Sequence, residues 1–166
     1  MTLADLNARD RQSFVDSIGW VFEHSPWVAG RAWPCRPFAS VEELHQAMIK
    51  GVAGATVEEQ LALLRAHPDL GARGRLSDAS TTEQSRAGLD ALTAVELDRL
   101  RRLNRAYREK FGFPFLYAVK GSTKHDILKA LETRLGAPRE DELNEALGQV
   151  YRIARFRLDD LFEGCS

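Results

Sequence analysis

Apolar residues return along this chain mostly at intervals of three and four, the signature of helices with one buried face. Phe14, Val15, Ile18, Val21 and Phe22 recur at that spacing, and Ser25 with Pro26 closes the segment and supplies the cap and first turn of a short successor. Ser40 with Glu43, Thr56 with Glu59, Ser80 with Glu83 and Thr93 with Glu96 mark four more helix starts. In each, hydroxyl and carboxylate sit three residues apart and can satisfy each other's backbone amides. Leu97, Leu100, Leu103, Tyr107 and Phe111 share one face of a segment from Val95 to Phe111, which Gly112 is placed to end in the left-handed conformation. A helix near Lys124 to Leu135 ends similarly at Gly136. The last segment, about Glu140 to Phe162, carries Leu143, Leu147, Val150, Ala154, Leu158 and Leu161 and should be the longest helix.

The one β-like run, Phe115 to Val119, has no second strand to pair with and reads as an extended or irregular wall segment. The expectation is therefore an all-α fold, a bundle of about eight helices with a long C-terminal helix. The longest loop, His67 to Ala79, contains Gly71, Arg73, Gly74 and Arg75 and is long for a compact bundle, a property of functional loops.

A chain of 166 residues fits a single compact domain over 1–166. Twenty-three basic against 24 acidic residues leave a net charge of -1, so no overall field draws in nucleic acid or an anionic membrane. No apolar run approaches the roughly 20 residues of a membrane span. The start MTLADLNARD has neither signal-peptide nor anchor character, and the terminal Gly-Cys-Ser is not a peroxisomal address. Cys35 and Cys165 are too few for a disulfide framework or zinc site, which points to a reducing compartment and to the cytoplasm as the expected location.

Three polar residues stand out. His67 precedes Pro68, which disfavours the helical conformation before it, so an imidazole is placed at a helix exit facing a loop. It is either a dipole-favoured terminal histidine or a proton donor and acceptor near neutrality. Glu83 is explained as a capping residue, or forms with Ser80, Gln84 and the free amides of a helix start a polar wall for a ligand rich in amide groups. Arg157 lies on the final apolar stripe, where its head either reaches water or a structural carboxylate, or grips a substrate carboxylate with two parallel hydrogen bonds. His24, His45, His67 and His125 lack metal-ligand spacing, so no metal is expected.

In order along the chain, several pieces resemble the 2-oxo-4-hydroxy-4-carboxy-5-ureidoimidazoline (OHCU) decarboxylase family: Phe22-Glu23-His24-Ser25-Pro26-Trp27, Arg36-Pro37-Phe38, His67-Pro68-Asp69-Leu70, and Ser80 with Glu83-Gln84 and Ala87-Gly88-Leu89. Leu103-Asn104 with Tyr107, Lys110 to Phe115, and Ile153-Ala154 with Arg157-Leu158 complete the set. The resemblance implies a cofactor-independent lyase that converts a ureidoimidazoline to (S)-allantoin at the end of urate degradation. It implies a homodimer, and coupling to 5-hydroxyisourate hydrolase is a further possible partnership. No cofactor is needed because the ring C=N bond can take up the electron pair left by carbon dioxide. It places catalytic roles on His67, Glu83 and Arg157, and substrate contacts on Pro68, Ser80, Gln84, Phe115, Leu116, Tyr117, Ala118 and Val119. Tyr117 is bulkier than the small residue expected there, and either points away from the ligand or narrows the pocket. Two other readings stay open: a helical protein-interaction module, and a hydrolase acting on a related ureide.

Overall fold

The computed structural model describes residues 1–70 and 78–162, with side chains in the second stretch from Thr82 onward. Nine α-helices are found among the described residues, and no strand. They are α1 (Leu3–Asn7), α2 (Arg11–Ile18), α3 (Trp27–Ala32), α4 (Val41–Ala53), α5 (Val57–Arg65), α6 (Asp78–Arg86), α7 (Ala94–Phe111), α8 (Lys124–Leu135) and α9 (Arg139–Leu161). The all-α expectation is met, and α9 is the longest helix. No helix among these residues is long and apolar enough to cross a membrane.

Local chemistry sets most of the helix starts. Thr56 with Glu59 and Thr93 with Glu96 form the full reciprocal boxes that their spacing predicts. Ser40 caps α4 through the Glu43 amide, but the Glu43 carboxylate accepts from Ala39 N instead of returning to Ser40. Two boxes use aspartate in place of glutamate, Thr2 with Asp5 and Thr123 with Asp126, which a search for the glutamate spacing passes over.

Outside the candidate site, three boundaries depart from expectation. The helix read through to Phe22 ends at Ile18 and continues only as a 3₁₀ turn over Gly19–Val21. Ser25 does not cap α3: its hydroxyl donates to the Glu23 carbonyl at 2.9 Å, and Pro26 holds the cap position. Gly112 ends α7 with φ 81° as expected, whereas Gly136 ends α8 in the right-handed region at φ -85°.

The chain divides into two compact units, Met1–Ala66 with Tyr151–Ser166, and His67–Val150. In the first, α3 packs on α2 and α4 around Phe14, Ile18, Val28, Leu44, Met48 and Val52, all fully buried. Asn7 and Phe38 exchange two hydrogen bonds, of 2.9 and 2.8 Å, that tie α1 to the 33–38 segment. Arg36 reinforces the tie by donating to the carbonyls of Asn7, Arg9 and Trp33 while lying over the Trp33 ring.

In the second unit, α7 packs on α8 around an aromatic cluster. The Tyr107 ring centroid lies 4.5 Å from Phe111, 6.0 Å from Phe113 and 5.4 Å from Phe115, the last two edge-on, the geometry ring quadrupoles favour. The Tyr107 hydroxyl donates to Glu142, and Arg134 Nε donates to the same oxygen at 2.6 Å. Burial and that hydrogen bond push the Tyr107 phenol far above its ordinary pKa, so it stays neutral. Glu142 is 2% exposed and Arg134 11%, so each charge depends on the other.

Replacing Glu142 with Leu should strand the Arg134 guanidinium and cost about 3–5 kcal/mol in urea unfolding, with the Arg134→Leu/Glu142→Leu double variant recovering much of it. A second prediction concerns acid. Lys124 Nζ lies 2.8 Å from Glu96, and its hydrogen bond, with those from Thr93, lowers the Glu96 pKa from 4.5 to about 2. A lowered carboxylate pKa stabilises the fold above the unfolded value and loses that contribution as pH falls through the folded one. The melting-temperature gap between wild type and Glu96→Gln should therefore be constant above 4.5 and close as pH falls toward about 2.

Candidate active site

The residues singled out in sequence fall in two places. His67, Pro68, Ser80, Glu83, Gln84 and Phe115 to Val119 belong to the second unit, and Arg157 to the first.

Helix α5 ends at Arg65 with Ala66 as its cap, so Pro68 stops the helix just short of His67, as its steric clash requires. The imidazole is buried, 6% exposed, in a turn that α7 holds from outside. Asn104 Nδ2 donates to the Leu70 carbonyl at 3.0 Å, and one helical turn later Arg108 Nη2 meets Asp69 Oδ1 at 2.9 Å. The His67-Pro68-Asp69-Leu70 segment is thereby fixed through both a backbone and a side-chain group.

Helix α6 begins at Asp78, before Ser80, so Ser80 sits inside its first turn and is not the cap that the Ser80–Glu83 spacing predicts. The loop expected from His67 to Ala79 is overtaken at its end by α6, which already holds residues 78 and 79; the Ser80 side chain and residues 71–77, with Arg73 and Arg75, lie outside the described residues. Glu83 is half-buried mid-helix and Gln84 is 7% exposed. The helix ends in a Schellman motif: Leu89 N donates to Gln84 O and Gly88 N to Ser85 O, both at 3.0 Å. Gly88 takes φ 83°, and an added Cβ there would meet nothing within 4 Å, so the position needs glycine for its conformation and not for room. This ending fixes the main chain of Gln84 one residue from Glu83.

The segment from Phe115 to Val119 is neither helix nor strand, as expected. Its backbone groups are held by side chains from the last two helices of the unit. Arg134 Nη1 donates to Leu116 O, with its guanidinium 4.6 Å above the Phe115 ring, and Ala118 N donates to Gln149 Oε1 at 2.8 Å. The Tyr117 ring stacks on Phe115 at 13° between planes, and its hydroxyl lies 3.2 Å from Ser122 Oγ.

Arg157, with 5% of its side chain exposed, pairs with Glu23 at 2.9 Å, and its Nη1 approaches the carbonyls of Trp20 and Val21 at 3.4 Å. The sequence leaves open how the guanidinium on the apolar stripe is compensated. The structure supplies a buried carboxylate, from the same segment in which His24 adopts φ 45°, a conformation uncommon outside glycine. In the sequence Glu23 and Asn104 stand out only as members of motifs. Gln149 and Glu142 do not stand out at all, although they, like Asn104, are buried polar residues on helices whose buried face is otherwise mostly apolar, the same signal that marks Arg157.

A buried imidazole in a turn tied to α7, a half-buried carboxylate and a buried amide on α6, and an irregular segment whose main chain is held by two helices all belong to the second unit. A family model described as OHCU decarboxylase matches residues 7–159. The chain is 48% identical to a 2-oxo-4-hydroxy-4-carboxy-5-ureidoimidazoline decarboxylase of Haloferax volcanii, over 98% of this chain and 96% of that one. It is also 48% identical to a uric acid degradation bifunctional protein of Bacillus subtilis, over 96% of this chain and 32% of that longer protein. Among solved structures, an (S)-allantoin synthase superposes with TM-score 0.80 and 34% identity, covering 96% of this chain and 54% of that one. An OHCU decarboxylase crystallised with (S)-allantoin gives 0.69 and 26%, over 82% and 90%. With the match running nearly end to end, this chain belongs to the OHCU decarboxylase family.

Proposed function

We propose that the chain decarboxylates OHCU to (S)-allantoin without a cofactor. The observation that carries the reading is His67: the family match runs through it, and it is buried in a turn pinned from α7. In this reaction the bond between ring carbon and carboxylate breaks. Its electron pair forms a double bond to the neighbouring ureido-bearing carbon, the C=N pair moves onto the ring nitrogen, which takes up a proton, and carbon dioxide leaves. The hydroxyl then gives up its proton to become the ring carbonyl, and the ureido-bearing carbon gains one. His67 is the donor of that proton, and delivery from one face sets the (S) configuration. Glu83 orients the hydroxyl or ring, while Pro68, Ser80, Gln84 and the main chain of Phe115, Leu116, Tyr117, Ala118 and Val119 hold the ureido and ring groups. Arg157 is assigned to the reaction on the family resemblance alone, as a cation for the substrate carboxylate.

The single-domain reading is supported by one family match that runs through both compact units. A homodimer in the cytoplasm rests on the resemblance and on the cysteine content. Coupling to the hydrolase that supplies the substrate is part of the same proposal; in bifunctional uric acid degradation proteins a segment like this chain makes up about a third of a longer chain.

The test follows optical activity while urate is converted by urate oxidase and the hydrolase, because uncatalysed decay yields racemic allantoin. Wild type should give a fast-growing circular dichroism signal. His67→Ala should reduce the rate by about 10²–10⁴-fold, the usual worth of a positioned general acid, and erase the stereochemical preference. Arg157→Lys should keep the charge, lose the planar fork, and lower kcat/KM by about ten-fold or more. A wild-type protein that leaves the slow racemic decay unchanged would overturn the assignment and return the chain to an interaction role; an optical signal without release of carbon dioxide would favour the hydrolase.

A further inference from the structure

The buried face of α7 is made by Leu100, Asn104, Tyr107 and Phe111, and three of the four are fully buried and apolar or aromatic. Asn104 is the exception. It is 5% exposed, and its Nδ2 donates to Leu70 O, while its Oδ1 is buried with no hydrogen-bond partner among the described residues. An amide carbonyl kept out of water without a donor opposes folding. Among the described residues the side chain uses only half its hydrogen-bonding capacity, which leaves Oδ1 open to a partner that arrives later.

The position of that oxygen is constrained. Nδ2 and Oδ1 share one carbon, so an Nδ2 bound to Leu70 O places Oδ1 beside the same turn, three residues beyond His67. The same turn has a second tie to α7, the exposed pair of Arg108 with Asp69 one helical turn further along. The acceptor is therefore preorganised, and its missing complement is an N–H donor.

We propose that Asn104 is a ligand-binding residue of this site: Nδ2 fixes the main chain after His67, and Oδ1 accepts a hydrogen bond from a ureido or lactam N–H of the bound ligand. The inference rests on the reading of His67 as a site residue given above. It adds a specificity determinant for ureides, because a ligand without an N–H at that point leaves the acceptor dry and unpaired, a mismatch that discriminates more strongly than lost apolar contact.

The experiment measures (S)-allantoin binding by calorimetry and turnover of OHCU for wild type, Asn104→Leu and Asn104→Asp, with melting curves for each. Asn104→Leu should fold and bind allantoin about ten-fold or more weakly, with a matching rise in KM. Asn104→Asp separates ligand binding from packing. Its protonated form can donate to Leu70 O and still accept from the ligand, so near pH ~5 it should bind within a few-fold of wild type, and it should weaken as pH rises and the carboxyl ionises. Binding by Asn104→Leu within about two-fold of wild type overturns the proposal. So does an Asn104→Asp no better than Asn104→Leu at low pH, or a failure of both variants to fold, which would make Asn104 a purely structural residue. If wild type itself neither binds allantoin nor forms it from OHCU, it is the assignment of function that fails.

Discussion

A charge removed from water must be answered where it stands, and in this molecule that requirement fixes the places of several buried side chains. Helix α9 places Glu142, Gln149 and Arg157 on its buried side, each less than one-tenth exposed. Each dictates what must lie opposite. Glu142 collects Arg134 and the Tyr107 hydroxyl, Gln149 takes the Ala118 amide, and Arg157 takes Glu23 with two carbonyls of the turn before it. A purely apolar helix would tolerate rotation about its axis or a slip of register. These three residues do not, because any shift strands a charge or an amide. The cost of such pairs in stability is the ordinary cost of specificity, since hydrophobic replacements of similar size are often as stable or more so.

The same logic links packing to chemistry in the second unit. Arg134 serves the Glu142 carboxylate and the Leu116 carbonyl at once, so the pairing that keeps its charge tolerable also braces the irregular segment from Phe115 to Val119. Asn104 and Arg108 do the equivalent for the turn that carries His67. In both cases an irregular stretch of backbone, which carries no regular hydrogen-bond ladder, is completed by side chains from regular helices. Irregular backbone is where a ligand can reach main-chain groups, and helices are what make it rigid.

How far the sequence discloses this depends on the range of the interaction. Thr56 with Glu59, Thr93 with Glu96, and Gly112 after Phe111 are local devices decided within four residues, and all three are legible in the chain itself. Ser80 with Glu83 has the same spacing, yet the helix starts earlier, at Asp78, because a spacing permits a cap without compelling one. The segment after Ile18 tightens into a 3₁₀ turn although its apolar spacing continues. The partners that hold the candidate site are distant in sequence: 134 residues separate Glu23 from Arg157, 34 separate Asn104 from Leu70, and 31 separate Ala118 from Gln149. No local pattern encodes such pairs. What the sequence does carry is their trace, a polar residue on an apolar stripe. That trace is plainest at position 157 and is equally present at 104, 142 and 149.

The bracing of the wall also bears on how this protein can diverge. Arg134 and Gln149 grasp the segment by its peptide groups, and every amino acid but proline supplies those alike. Drift at Leu116 or Ala118 is therefore buffered, limited by how well the new side chain packs and not by any loss of the grip. The heritable constraint sits instead on two residues 18 and 31 positions further along the chain. Selection on the shape of this segment would therefore act on the two helices that hold it more than on its own side chains.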